Sequence, residues 1–207
     1  MNANGSVEEL AEAKLEDGET VAQNITKAIA SIGENMSLRR VASASVNQGA
    51  VCAYVHNKAA DNMGKIGVLV AIESAGDADK IQPVAKQIAM HIAATNPAAL
   101  SSADLDQDIV ARERKVYQEQ AEASGKPEKS IAGMVEGRMK KYFKEVCLLE
   151  QSFVMDPDRN VAQVVADLGK DIGTEAELKS FVIFKLGDGI EKEESDFASE
   201  VAAAAGQ

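Results

Sequence analysis

Two histidines and two cysteines are the residue types in this chain that most often bind metals or act as nucleophiles. His56 and His91 lie on different predicted elements and lack the HxxxH or HExxH spacing of a helical metal site. Cys52 and Cys147 form no CxxC pair, which argues against a zinc cluster or a disulfide framework. Cys52 and His56 would be about 13 Å apart on a strand, too far for proton transfer. The sequence therefore predicts no catalytic metal, and it predicts Cys52 at the edge of the core.

Two glycine-rich stretches resemble phosphate-binding loops only in part. Gly125-Lys126-Pro127 has proline where the P-loop needs a Ser or Thr hydroxyl. Gly187-Asp188-Gly189 lacks a third glycine and a strand-to-helix setting. We therefore expect no nucleotide cofactor, and the sequence indicates that the protein is not an enzyme.

His91 stands inside the helical stretch KQIAMHIAATNPAAL, residues 86–100. It borders the predicted buried stripe instead of lying at its centre, so we expect it to be partly exposed. The members of that stripe are Ile81, Val84, Ile88 and Ile92. Alanines beside His91 would permit the close approach of another protein. On pattern alone, a structural histidine with satisfied hydrogen bonds is favoured over a docking contact.

The stretch from Arg138 to Lys144 is the one basic patch with aromatic neighbours, Tyr142 and Phe143, as a nucleic-acid groove requires. Glu136 and Glu145 flank it, and the chain has a net charge of −11. An acidic surface repels polynucleotides, so a solvated helix face is favoured and no direct nucleic-acid role is expected. An RNA-associated hairpin stays a minor alternative.

Length and hydropathy set the class of protein. A chain of 207 residues is expected to form one main domain with an appendage. No apolar run approaches the roughly 20 residues of a bilayer helix, and residues 1–19 are too polar for a signal peptide. We therefore expect a cytoplasmic protein with no membrane role. Aromatic residues make up 4% of the chain, so its core should be aliphatic.

Hydrophobic periodicity predicts an α+β fold, with an antiparallel sheet of about four strands and helices packed on it. The predicted strands are Leu38–Val46, Val51–Asn57, Lys65–Ser74 and Leu178–Leu186. Asn47-Gln48-Gly49 has hairpin chemistry between the first two strands. The predicted helices are Val7–Leu15, Glu19–Gly33, Asp77–Thr95, Asp104–Ser124, Ser130–Val146, Val161–Asp171 and Asp196–Ala205. The fourth and fifth helices are joined by a short Gly/Pro turn, which predicts a helical hairpin, and this hairpin is the candidate surface for self-association.

Several longer strings closely resemble one known family, bacterial translation elongation factor Ts. Their order and spacing resemble that family from about residue 18 to residue 204. The strings are Ile32–Val41 (IGENMSLRRV), Lys65–Val70 (KIGVLV), Ile88–Pro97 (IAMHIAATNP), Ser124–Pro157 and Gly187–Ala202. The resemblance implies a guanine-nucleotide exchange factor for elongation factor Tu, without cofactor or metal. Such a factor binds the nucleotide-free GTPase preferentially and so promotes GDP release.

The resemblance also implies contact residues for Tu. Ile66 and Gly67 match the family strand that contacts the GTPase domain, where a missing side chain lets two backbones come close. His91 matches a helix histidine that contacts another domain of Tu, which reverses the preference stated above. Leu186, Phe197 and Val201 resemble further contact positions.

The same resemblance divides the chain into parts. Residues 1–35 would be a helical remnant of the N-terminal half of the core, and residues 36–124 with 166–190 the core domain. Residues 125–165 would be a helical dimerisation insertion through which a homodimer could form, and residues 191–207 a C-terminal helical module.

One family feature does not occur in this sequence. Full-length members carry an upstream helical domain and a Thr-Asp-Phe-Val motif whose Asp and Phe press on the GTPase near its magnesium site. The Glu194-Ser195-Asp196-Phe197 string belongs with the C-terminal module and does not replace that motif. We expect a truncated form of a longer factor in preference to a natural short variant, and we expect it to exchange GDP poorly. A module that docks on Tu without exchanging nucleotide is the alternative.

Overall fold

A computed structural model describes residues 5–189 and confirms the predicted α+β class. The main sheet is antiparallel and has three strands, with β2 in the centre between β1 and β5. A separate two-stranded ribbon is formed by β3 and β4. The strands are β1 (Gly49–Ala60), β2 (Met63–Ser74), β3 (Ser152–Phe153), β4 (Asp156–Asn160) and β5 (Ala176–Lys185).

The described residues form six α-helices, most of which start at side chains suited to capping. The helices are α1 (Val7–Glu12), α2 (Val21–Ile32), α3 (Ala78–Thr95), α4 (Gln107–Ala123), α5 (Glu128–Val146) and α6 (Val161–Ile172). Thr20 with Gln23, and Asn160 with Gln163, form capping boxes that satisfy the first N–H groups of α2 and α6. Gly33 and Gly173 end the same two helices in the left-handed conformation.

The main core lies between the sheet and the two helices α3 and α6. Alternate residues of β1 and β2, including Cys52, Val68 and Val70, point into it. From the helices come Ile81, Ile88, Ile92, Val161, Val164 and Leu168. The core is largely aliphatic, as the composition predicts, and Cys52 is a core residue.

The predicted strand Leu38–Val46 is wrong: residues 33–46 form neither helix nor strand. The predicted turn at Asn47-Gln48-Gly49 does not join two strands either, since β1 begins at Gly49. The alternating apolar pattern of Leu38–Val46 resembles that of a strand. In the structure, however, Arg39 and Arg40 of this segment donate hydrogen bonds to residues at the end of β5. The hairpin that does form joins β1 to β2 at Asp61 and Asn62, where Asn62 has a positive φ of 57°.

Helices α4 and α5 pack on each other as the predicted helical hairpin. Ala121 of α4 and Val135 and Met139 of α5 form its buried centre. The predicted boundary between the core domain and the dimerisation insertion at residue 125 stays a prediction. It would separate α4 from α5, although these two helices pack on each other. Within residues 5–189, none of the helices combines the length and the apolar character that crossing a bilayer requires.

Candidate functional site

Three of the predicted contact residues meet at one end of the main sheet. In the β2–β5 register, Gly67 lies opposite Phe184 and Ile66 lies opposite Lys185. The backbone N–H of Leu186 donates to the carbonyl of Lys65 at 2.8 Å, which extends the pairing by one residue. Leu186 is 80% exposed, whereas Ile66 is half-buried and packs against the core. We call Ile66, Gly67 and Leu186 the sheet-end patch.

Gly67 leaves the backbone of this patch open. A Cβ atom added at Gly67 would have no heavy atom within 4 Å among the described residues, and the residue is exposed. Gly64 differs, because a Cβ there would lie 2.5 Å from a methyl group of Val55. Packing within this part of the chain therefore does not require glycine at position 67. A missing side chain on an exposed strand permits a second backbone to come close.

A groove of about 510 Å³ runs beside the sheet-end patch. Phe184 lines it, and its charged lining residues are four cationic ones and one acidic one: Arg39, Arg40, Lys65, Lys185 and Glu34. A smaller apolar depression of about 160 Å³ shares Gly67 and Phe184 with the groove and continues onto the sheet. The residues that line it further along the sheet include Ala53, Val55, Leu69 and Val182. This end of an acidic protein thus combines positive charge with an apolar floor, a combination suited to protein docking.

His91 lies away from the sheet-end patch, and the expectation that it is partly exposed is wrong. Only 1% of His91 is exposed, and it is among the largest fully buried side chains. The hydrophobic periodicity of α3 predicts only the face on which its apolar residues recur. It does not show that residues 151–154 cover the next face of the helix, since those residues are distant in sequence. Whether His91 takes part in binding a partner stays a prediction.

The hydrogen bonds of His91 determine its tautomer. The backbone N–H of Val154 donates to Nδ1 at 3.2 Å, so Nδ1 carries no proton. Nε2 therefore carries the proton and donates to Oε1 of Gln151 at 2.8 Å. Gln151 is buried, and its amide nitrogen donates to the carbonyl of Glu145 at 2.8 Å. The hydroxyl of Thr95 is 2.9 Å from the same Oε1. The neutral ring thus joins α3, the end of α5 and the β3–β4 ribbon.

Folding stability should fall as the pH drops below about 6.5, the ordinary pKa of an unfolded histidine. Burial lowers the pKa of His91, and the opposing hydrogen bond from the ring to Gln151 raises it less. The folded state therefore binds this proton more weakly than the unfolded state does. The stability contributed by neutral His91 is present above pH 6.5 and is lost as the pH falls toward the folded pKa, by at most about 1.4 kcal/mol per pH unit.

Urea unfolding at pH 7.5 and pH 5.5 measures this loss. A His91→Gln variant, which has no group titrating there, should show a smaller pH dependence than the unaltered chain. Equal pH dependence in the two proteins would contradict the assignment to His91.

The ribbon held by His91 exposes two apolar side chains at its turn. Val154 is 53% exposed and Met155 is 44% exposed, and we call this pair the ribbon tip. Sequence reasoning missed it. The available signal was an apolar pair in a tight connection between strands, where glycine, asparagine and aspartate are usual. Two adjacent exposed apolar side chains form a candidate contact with another protein.

The two thiols are buried, and the second histidine bonds to a tyrosine. Cys52 and Cys147 are buried, and burial raises the pKa of both thiols, that of Cys147 to about 11. A nucleophilic thiol needs a lowered pKa. Nδ1 of His56 lies 2.9 Å from the hydroxyl of Tyr54. Across residues 5–189, no group of three or more His, Cys, Asp and Glu side chains is arranged to hold a metal ion.

The two aromatic residues of the basic stretch of α5 pack against neighbouring side chains. Tyr142 and Phe143 are half-buried, and they pack against the centre of the helical hairpin and against a second small core at its base, formed by Ala99, Leu105 and Cys147. Arg138 is 2.5 Å from the side-chain oxygen of Gln120 and lies over the ring of Tyr117. Packing therefore covers part of each aromatic ring that a single-stranded RNA groove would use for stacking. Phe197 and Val201, two predicted contacts, lie outside the described residues.

Comparisons with known proteins agree on one family. Residues 1–188 match the family model described as "Elongation factor TS". An elongation factor Ts from Sphingopyxis alaskensis is 59% identical over 200 residues, covering 97% of this chain and 65% of the relative. One from Brucella ovis is 52% identical over 205 residues, covering 99% of this chain and 67% of the relative. The chain thus spans about two thirds of the length of these curated relatives.

Proposed function

Because the chain belongs to the elongation factor Ts family, we propose that it is a guanine-nucleotide exchange factor for elongation factor Tu in protein synthesis. The observation that carries the proposal is the open backbone at Gly67 beside the 80% exposed Leu186. Such a surface suits a factor that works by contact with another protein. We assign it no reaction, cofactor or metal of its own, and we expect it in the cytoplasm, where Tu acts.

Two surfaces would make the contact with Tu. The sheet-end patch supplies the close approach at Gly67 and an apolar side chain at Leu186. The ribbon tip supplies Val154 and Met155, and His91 holds it from behind through the Val154 N–H. His91 would then act as a positioning residue, because its own ring is buried. Phe197 and Val201 complete the contacts that we propose.

Exchange would follow from differential affinity. A protein that binds nucleotide-free Tu more tightly than GDP-bound Tu weakens GDP binding by the same factor. The docking surfaces supply affinity, whereas the difference between the two states must come from groups acting near the nucleotide. The sequence of residues 1–207 contains no Thr-Asp-Phe-Val string. We therefore propose strong docking together with weak acceleration of GDP release by these 207 residues.

Stopped-flow release of a fluorescent GDP from Tu measures this activity. We expect release that is faster than the spontaneous rate and slower than that produced by a relative carrying the Thr-Asp-Phe-Val motif. Binding of nucleotide-free Tu without any acceleration would make the chain a docking module. If the chain binds neither nucleotide-free nor GDP-loaded Tu, the proposed function is wrong.

The helical hairpin could also join two copies of the chain. Ile109 and Val116 of α4 are 41% and 43% exposed, and they are seven residues apart, so they share one helix face. We propose this face as the homodimer contact. Sedimentation of the unaltered chain and of an Ile109→Gln/Val116→Gln variant provides the comparison, with a shift toward monomer expected for the variant.

A further inference from the structure

The two strands of the β3–β4 ribbon are held to the rest of the fold in different ways. In β3, Phe153 is 2% exposed and belongs to the main core. In β4, none of the five residues is buried. The strand that follows Met155 therefore has no side chain of its own anchored in the core, and other contacts must hold it.

The turn of the ribbon does not fix the direction of the ribbon tip by itself. Phe153 pairs with Asp156, so Val154 and Met155 form a two-residue connection. Neither of these two residues has a positive φ. The favoured two-residue hairpin turns, types I′ and II′, need a positive φ at one or both central positions. A two-stranded ribbon is also marginally stable when it is isolated. The direction of the tip therefore depends on contacts from outside the ribbon.

Arg159 makes such a contact for β4. Its Nε donates to the carboxylate of Asp156 at 2.7 Å, and its Nη1 donates to the carboxylate of Asp167 on α6 at 3.0 Å. Asp167 also accepts a hydrogen bond from the ammonium of Lys170 at 2.7 Å. The buried face of α6 packs in the main core. The planar guanidinium reaches two carboxylates at once, so it links the residue after Met155 to a helix anchored in that core.

The ribbon tip is thus held from both sides. His91 accepts the N–H of Val154 on one side, and Arg159 binds β4 on the other. We propose that Arg159 is a positioning residue: by joining β4 to α6, it sets the direction of Met155 for Tu binding. A side chain that spends more time in a binding-competent direction has a higher apparent affinity. This inference rests on the proposed function.

Arg159→Ala should change Tu binding more than stability. The side chain is 42% exposed, and exposed ion pairs contribute little to folding. The variant should therefore unfold at nearly the same urea concentration as the unaltered chain. Its affinity for nucleotide-free Tu should fall on the order of tenfold, because the competent fraction falls.

Lys170→Ala is the matched control for Arg159→Ala. It removes another exposed cation that binds the same Asp167 carboxylate, and it leaves both bonds of Arg159 in place. Its affinity for Tu should match that of the unaltered chain. A loss as large as that of Arg159→Ala would show that the charge near α6 matters and the link to β4 does not, and it would overturn the inference.

A double-mutant cycle on the full chain separates positioning from direct contact. The first arm is Arg159→Ala, the second is Val154→Ala/Met155→Ala, and the third combines them. The combined variant should bind Tu as weakly as the second arm alone, because Arg159 acts through the ribbon tip. Losses that add fully would mean that Arg159 contacts Tu itself, and the positioning role would be wrong.

Asp167→Ala tests the same point without removing the guanidinium. It frees Arg159 from α6 and should weaken Tu binding as Arg159→Ala does. Unchanged or tighter binding would contradict the positioning role, since a guanidinium that contacts Tu would gain from the loss of a competing carboxylate. If the unaltered chain does not bind Tu, the proposed function fails. If it binds and Arg159→Ala keeps the full affinity, only this inference fails.

Discussion

Replacing His91 by alanine is expected to lower the free energy of unfolding by about 2–4 kcal/mol. The change removes a fully buried ring that lies 5.6 Å from the ring of Phe153, centroid to centroid, and leaves a cavity beside it. It also removes the ring donor to Oε1 of Gln151, which then keeps only the hydroxyl of Thr95, and it leaves the N–H of Val154 without its acceptor. Urea unfolding at pH 7.5 measures the loss.

The matched control is His56→Ala. His56 is exposed and bonds to the hydroxyl of Tyr54, so its loss should cost under about 1 kcal/mol. Affinity for nucleotide-free Tu is the second measurement, and it should fall for His91→Ala because the ribbon tip loses its support. Unchanged stability with lost affinity would mean that the ring contacts Tu itself, as the family resemblance implies.

Replacing Gly67 by valine is expected to lower the affinity for Tu without lowering the stability of the fold. A Cβ at this position meets no described atom within 4 Å, and valine suits a strand better than glycine does. The free energy of unfolding should therefore stay level or rise by about 0.5–1 kcal/mol. Affinity for nucleotide-free Tu should fall on the order of 100-fold, about 2.7 kcal/mol, since a branched side chain separates the two backbones.

Ser180→Val is the matched control for Gly67→Val. Ser180 is exposed on β5 and pairs with Ala71, which lies four residues beyond Gly67 on β2 and therefore on the same face of the sheet. The Ser180→Val substitution adds a branched side chain in the other half of the sheet, away from the sheet-end patch. Its affinity should match that of the unaltered chain. Equal affinity for the Gly67 variant and this control would show that the sheet end does not dock Tu.

The false strand at Leu38–Val46 shows where periodicity fails. An alternation of apolar and polar residues records that alternate side chains face different surroundings. It does not record which backbone, if any, pairs with the segment. Here the side chains of Arg39 and Arg40 bind acceptors up to 150 residues away in sequence. No local pattern contains that information.

The candidate site was predicted in part. The resemblance named Ile66, Gly67 and Leu186, and the β2–β5 register brings them together. It did not name the ribbon tip, because exposure of Val154 and Met155 depends on how residues 151–160 fold over α3. It also named His91 without showing that the ring is buried. The single-helix pattern could not do so, since the covering residues, Gln151 among them, are about 60 positions away.

The sequence by itself determined the α+β class, the helix faces that pack inward, the aliphatic core and the family. Each of these follows from hydrophobic periodicity, amino-acid composition or short sequence motifs, all of which can be read directly from the sequence. The tertiary structure alone decided that His91 is a buried, neutral member of a hydrogen-bond network, and that two arginines fasten the end of β5. Both results depend on contacts between segments distant in sequence, whose free energy exists only once the chain has packed.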